Sequence, residues 1–190
     1  MGKRIEFFFD HGSPFSYLAD TQLPAIAARH GAEIVYRPML LGGVFKATGN
    51  SSPITIPAKA KFMMAELQRW PRKYGVPMKM NPHFPINTIK LMRGAVAAQL
   101  QGKFAAYHPA VFRGVWVEEL DLGHSAVLAE LLKKVGMDPE SIEGDEIKNR
   151  LRANTDEAVE RGAFGAPTFF VGGEMFWGND RLEFVEEALR

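Results

Sequence analysis

The stretch Ile5-Glu6-Phe7-Phe8-Phe9-Asp10-His11-Gly12-Ser13-Pro14-Phe15-Ser16-Tyr17-Leu18 constrains this chain more than any other. Residues 4–9 are short, apolar and aromatic, the signature of a buried strand. Asp10-His11-Gly12 interrupts them. Pro14 then falls where a helix begins, since a residue without an N–H is best tolerated in the first turn. Ser13 is therefore a candidate N-cap, its hydroxyl among unpaired backbone N–H groups at the positive end of a helix dipole. Such a place holds anions readily.

The helix that follows is expected over 14–30, kinked at Pro24 and stopped by Gly31, with 33–38 as a second strand. Strand, helix and strand in so few residues make a βαβ unit with parallel strands. Residues 39–56 carry Gly42-Gly43, Gly49-Asn50-Ser51-Ser52-Pro53 and Pro57, and are read as a long loop. From 57 to 162 the pattern is helical: 58–74, 87–101, 104–117, 124–135 and 145–161, with an extended connection at 78–86 and a turn at 136–144. Pro71 disrupts the first of these helices. Pro109 allows 104–117 to start late instead. Phe62, Met63, Leu67 and Trp70 make a stripe that is read chiefly as core packing.

Strand language returns at the end. Gly162 to Pro167 is a tight loop, Thr168–Val171 a strand, Gly172-Gly173 a hairpin turn and Glu174–Trp177 its partner. A last helix spans 179–189, with Asn179 as its expected cap. The fold class is thus α/β, with βαβ at the start and ββα at the end enclosing a large helical insertion. This is a thioredoxin-like arrangement, residues 1–56 and 163–190 forming the discontinuous domain and 57–162 the insertion domain. In that arrangement the first helix faces a loop carrying a cis-proline, here Pro167, whose neighbour Ala166 is free to pair with an extended peptide.

Composition narrows the chemistry. Of 190 residues 46% are hydrophobic, enough for one sizeable core. A formal charge of +1 gives no reason to expect nucleic acid or an anionic membrane, and no apolar run is long enough for a span. There is no cysteine, which excludes disulfides, thiolate metal sites and thiol–disulfide exchange by the protein itself and fits a cytoplasmic location. The five histidines lack the spacing of a helical zinc site, so no metal is expected. Surface or capping roles are the default for each. His11 alone draws attention, two residues before Ser13, as a candidate general base.

Three segments together, Ser13-Pro14-Phe15-Ser16-Tyr17-Leu18-Ala19, Phe164-Gly165-Ala166-Pro167-Thr168 and Trp177-Gly178-Asn179-Asp180-Arg181-Leu182, resemble the 2-hydroxychromene-2-carboxylate isomerases. These belong with the kappa-class glutathione transferases in the DsbA-like branch of the thioredoxin superfamily. Where DsbA-like oxidoreductases have Cys-x-x-Cys, this chain has Ser13-Pro14-Phe15-Ser16. The resemblance implies a cofactor, glutathione, whose thiolate is the nucleophile, and Ser13 as the catalytic residue that stabilises it. Lowering a thiol pKa by about 2 takes about 2.7 kcal/mol, within reach of one charge-assisted hydrogen bond and a helix dipole. It further implies that the Ala166 backbone pairs with the cysteinyl part of glutathione, that Asn179 and Asp180 hold its γ-glutamyl end, and that Pro167, Trp177 and Gly178 also belong to the cofactor site. Lys46, Asn50 and Lys59 would lie by the glycyl carboxylate or the organic substrate, and Arg37, Phe62 and Phe84, with Trp177, would line the substrate side. The implied reaction interconverts 2-hydroxychromene-2-carboxylate and trans-o-hydroxybenzylidenepyruvate, a step of naphthalene breakdown, or acts on a related aromatic. A homodimer is expected. Two alternatives stay open: a transferase that releases a glutathione conjugate, and a thioredoxin-fold binding module without chemistry.

Overall fold

A computed structural model describes residues 2–190. Four strands form one sheet: β1 (Arg4–Phe9), β2 (Glu33–Pro38), β3 (Thr168–Val171) and β4 (Glu174–Trp177), in the order β2-β1-β3-β4. β1 runs parallel to β2 and antiparallel to β3, and β4 is antiparallel to β3. β1 is central and covered on both sides, so it is apolar almost throughout instead of alternating. On one face Phe7 stacks on Phe169, ring centroids 5.2 Å apart. On the other Phe8 meets Phe170 edge-on at 5.5 Å. Arg161 closes that second face: its guanidinium lies 3.7 Å from the Phe170 ring and donates to both Glu6 oxygens, at 3.0 and 2.8 Å.

Among the described residues nine helices surround the sheet: α1 (Pro14–Asp20), α2 (Leu23–His30), α3 (Leu41–Thr48), α4 (Pro57–Tyr74), α5 (Ile89–Leu100), α6 (Phe104–Trp116), α7 (Ser125–Lys134), α8 (Asp145–Glu160) and α9 (Leu182–Glu187). Short 3₁₀ turns occupy Pro53–Thr55, Pro139–Ile142 and Asn179–Arg181. The larger core joins Ile5, Phe7 and Phe9 to Leu91, Phe112 and Trp116, so the helices of 57–162 share hydrophobic contacts with the sheet. A smaller cluster on the opposite face holds Phe8, Met39, Val44 and Ala158.

The strand positions agree with the sequence reading; several helices do not. Residues 14–30 are two helices, not one kinked helix. The break falls at Thr21-Gln22, and Pro24 lies in the first turn of α2, where its missing N–H costs little. The expected loop 39–56 contains α3. Gly43 serves packing: a Cβ there would sit 3.2 Å from Thr155 Cγ2 of α8, and the Leu40 N–H donates to Thr155 Oγ1 at 2.9 Å. α4 continues through Pro71 to Tyr74, and α6 starts at Phe104 with Pro109 inside it. Asn179 does not cap the last helix. It is buried, opens a 3₁₀ turn, and its amide donates to the Tyr74 hydroxyl at 3.3 Å.

Candidate functional site

Ser13 caps α1 as its sequence context requires. Its φ and ψ, −90° and 115°, are extended, and its Oγ accepts the Ser16 N–H at 3.1 Å. The same hydroxyl donates to the main-chain oxygen of Ala166, 3.1 Å away across the fold. The Ala166–Pro167 bond is cis, as is Phe84–Pro85. α1 is only seven residues long, so its dipole is weaker than a 17-residue helix would supply, and the Ser13 hydroxyl carries more of any anion stabilisation.

One group that the sequence does not single out holds this corner. Asp10 is buried at the end of β1, and its carboxylate accepts from Gly12 N at 2.9 Å, Leu41 N at 2.8 Å and Thr88 Oγ1 at 3.0 Å. Its main-chain oxygen accepts from Ser13 N at 2.9 Å. One side chain thus ties the loop before Ser13 to the starts of α3 and α5. Burial raises the Asp10 carboxyl above the usual aspartate value, and its three hydrogen bonds pull the other way. An acid directly after an apolar strand is the only local signal for it.

His11 points into the core. The surface or capping role expected of the histidines fails for it and for His108, because both are buried. Asp20 Oδ1 accepts from His108 Nε2–H at 3.0 Å, which makes His108 Nδ1 the acceptor for His11 Nε2–H at 3.1 Å. His11 Nδ1 then has no partner among the described residues. Desolvation holds the His11 imidazole well below the ordinary histidine range, and His108 adds to it. With its ring committed to His108, His11 is not a base for Ser13.

A cavity of about 650 Å³ opens in front of Ser13. α4 contributes Lys59, Phe62, Met63, Glu66 and Trp70, a helical stripe that faces it. The stripe is therefore not simply core. Met63 and Leu67 are buried, but Phe62 is 63% exposed and stands in the cavity wall. α3 adds Leu41 and Phe45, and the 78–88 connection adds Phe84. Lys59 is the one cationic side chain lining the cavity among the described residues, with Glu66 and Asp180 as its carboxylates. Glu66 already accepts from Trp70 Nε1 at 2.7 Å and from Arg69 at 2.6 Å.

The far wall is Gly165, Ala166 and the run Trp177–Asp180. Two glycines allow it to close up. A Cβ on Gly165 would fall 2.6 Å from Trp177 Nε1, and one on Gly178, whose φ is +103°, would fall 2.4 Å from Asp180 Oδ1. Asn50 Nδ2 donates to the Phe164 oxygen at 2.8 Å and so fastens the segment after α3 to the loop before Pro167.

Ten of the expected site residues thus converge: Ser13, Asn50, Lys59, Phe62, Phe84, Ala166, Trp177, Gly178, Asn179 and Asp180. Pro167 stands behind this wall, its oxygen accepting from Gly178 N at 3.0 Å. Arg37 and Lys46 do not line the cavity. Arg37 lies on the opposite face of the sheet, paired with Glu157 and 5.4 Å from the Phe8 ring, because its strand position alternates outward from Tyr36. Lys46 sits exposed on the outer side of α3, a helix where the sequence suggested a long loop. A second, smaller cavity of about 260 Å³ lies beyond Trp70 and Asp180. Its main cation is already used, since Arg29 donates twice to Glu186 at 2.8 and 2.9 Å.

A thioredoxin-like sheet, a serine-capped first helix and a cis-proline loop facing it define a DsbA-like protein without thiols of its own. The family described as DSBA-like thioredoxin domain matches residues 4–190. A 2-hydroxychromene-2-carboxylate isomerase of Sphingobium xenophagum is 36% identical over 195 residues, covering 100% of this chain and 99% of that one. A solved structure of a 2-hydroxychromene-2-carboxylate isomerase superposes with a TM-score of 0.87 at 33% identity, covering 98% of this chain and 94% of that chain. Glutathione S-transferase kappa 1 of Caenorhabditis elegans is 29% identical over 205 residues, covering 98% of this chain and 91% of that one. The chain belongs to the DsbA-like family and, within it, to the group of the 2-hydroxychromene-2-carboxylate isomerases.

Proposed function

We propose that this protein is a glutathione-dependent isomerase that interconverts 2-hydroxychromene-2-carboxylate and trans-o-hydroxybenzylidenepyruvate or a related aromatic pair. The observation that carries this reading is the Ser13 hydroxyl, a buried donor at the floor of a mainly apolar cavity in a chain without cysteine. Such a site lacks a nucleophile and is equipped to receive one. Ser13 is assigned the donor to the bound glutathione thiolate, with no seryl intermediate. Ala166 pairs with the cysteinyl backbone, Asn179 and Asp180 flank the γ-glutamyl end, and Lys59 offers its ammonium to a carboxylate. Phe62 and Phe84 present aromatic surface to the substrate ring.

In the reaction the thiolate adds to the conjugated carbon of the substrate. The ring opens, the former double bond rotates as a single bond, and the thiolate leaves again, so glutathione is regenerated. Ser13→Ala tests the assignment. Loss of a hydrogen bond to a charged group, about 1.5–3 kcal/mol, predicts turnover lowered about 10- to 100-fold with the fold retained. Full activity in that variant removes Ser13 from the mechanism.

Kinship with the kappa-class transferases favours a second reading, release of a glutathione conjugate. Free thiol measured during turnover separates the two: it is constant for the isomerase and falls stoichiometrically for the transferase. Calorimetry without any glutathione binding would leave a non-catalytic module. We also propose a cytoplasmic homodimer serving the breakdown of naphthalene-like compounds, and an insertion domain of residues 57–162. Sedimentation measures the first of these, and limited proteolysis at the junctions the last.

A further inference from the structure

The Ser13 hydroxyl has one proton, and that proton is engaged. Oγ donates to the Ala166 oxygen at 3.1 Å while it accepts from Ser16 N at 3.1 Å. In this state Ser13 has nothing to offer an anion in the cavity. The Ala166 carbonyl is engaged by the same bond, although it is the acceptor that an extended peptide would use. Both halves of the site, separated by 153 residues of chain, are thus closed on each other by one hydrogen bond.

We propose that this bond is an interlock which makes the Ala166 carbonyl a specificity determinant for thiols that carry a neighbouring backbone N–H. The inference rests on the glutathione reading above. On binding, the cysteinyl N–H of glutathione takes the Ala166 oxygen. The Ser13 O–H then turns about its Cβ–Oγ bond toward the sulfur. The oxygen itself stays in place, because Ser16 N–H holds it from behind. Serine keeps its proton throughout. The thiol proton passes to solvent, and no bond to carbon forms or breaks. A simple thiol that displaced the Ser13 hydroxyl would leave the Ala166 oxygen without a partner in a partly buried position, and that loss opposes its ionisation.

The test uses γ-glutamyl-alanyl-glycine, which is glutathione with sulfur replaced by hydrogen, together with glutathione itself. Each is titrated calorimetrically into the wild type and Ser13→Ala. The sulfur-free peptide gains nothing from a serine donor and must displace it from Ala166, so it binds Ser13→Ala about three- to tenfold more tightly than the wild type. Glutathione, at a pH where its bound sulfur is ionised, ranks the two proteins in the opposite order. Sulfur-free peptide that binds both proteins within about twofold, or prefers the wild type, overturns the interlock. Failure of both ligands to bind the wild type overturns the glutathione reading and the interlock with it.

Since Ser13 is also a helix cap, a second measurement is made on the wild type alone. The bound thiol of glutathione, followed by its ultraviolet thiolate absorbance, is compared with that of an analogue whose cysteinyl N–H is replaced by an ester oxygen. The analogue titrates about one pH unit higher, about tenfold less thiolate at a given pH. Equal titration of the two overturns the proposal.

Discussion

The buried His11 makes the stability of the fold depend on pH. His11 is wholly buried, its Nδ1 has no partner, and desolvation keeps its imidazole neutral well below the ordinary histidine pKa of 6.5. The unfolded chain has no such restraint and takes up a proton near pH 6.5. The folded pKa is depressed, so the stability is fully present above the unfolded pKa. It is lost progressively as pH falls below it, until the folded value is reached. Between about pH 7.5 and about pH 5.5 one such group removes about 1.4 kcal/mol, because 2.303RT is lost for each pH unit in which only the unfolded state is protonated. His11→Phe keeps a ring of similar size among Phe9, Tyr107 and Phe112, whose centroids lie 5.1, 6.0 and 4.7 Å from the imidazole, and abolishes the titration. Urea unfolding of the two proteins at both pH values isolates the effect, because Asp10, Glu6 and the other carboxylates cancel in the difference. The wild type loses about 1.4 kcal/mol more than the variant over this interval. Parallel losses would refute the buried neutral His11.

Further perturbations separate the site from its supports. Asp10→Ala leaves the Gly12 and Leu41 N–H groups and the Thr88 hydroxyl without their acceptor. Chemical denaturation is expected to show about 2–4 kcal/mol of destabilisation, more than a surface carboxylate would give. Gly165→Ala drives a Cβ into Trp177 Nε1, so Trp177 fluorescence and glutathione affinity change together while the melting temperature moves little. Arg37→Met breaks the pair with Glu157 on the far face of the sheet. It costs about 1 kcal/mol or less and leaves KM for glutathione and for the aromatic substrate unchanged, which steady-state kinetics checks.

What the sequence shows of this molecule divides by the range of the interaction that decides each feature. β1 is legible because burial on both faces writes an apolar run into residues 5–9, broken only by Glu6, and Ser13-Pro14 is legible because a cap and a first-turn proline are chemistry of adjacent residues. The opposite wall is legible for the same reason: Pro167 and Gly178 mark turns that few other residues can make. The features that escaped are settled by partners far along the chain. Gly42-Gly43 speaks for a loop until Thr155 is placed against Gly43, and then Gly43 explains a helix packed closely on α8. Met63 and Phe62 are neighbours on one apolar stripe, and both line the cavity, yet Met63 is buried at its base while Phe62 stands exposed, a difference that only the packing around α4 decides. His11 is separated from His108 by 97 residues and Asp10 from Thr88 by 78, so no local pattern announces either bond. The Ser13–Ala166 contact combines both cases. Each partner is predictable from its own few neighbours, but their hydrogen bond, and hence the closed state of the site, follows only from a sheet that sets β3 beside β1.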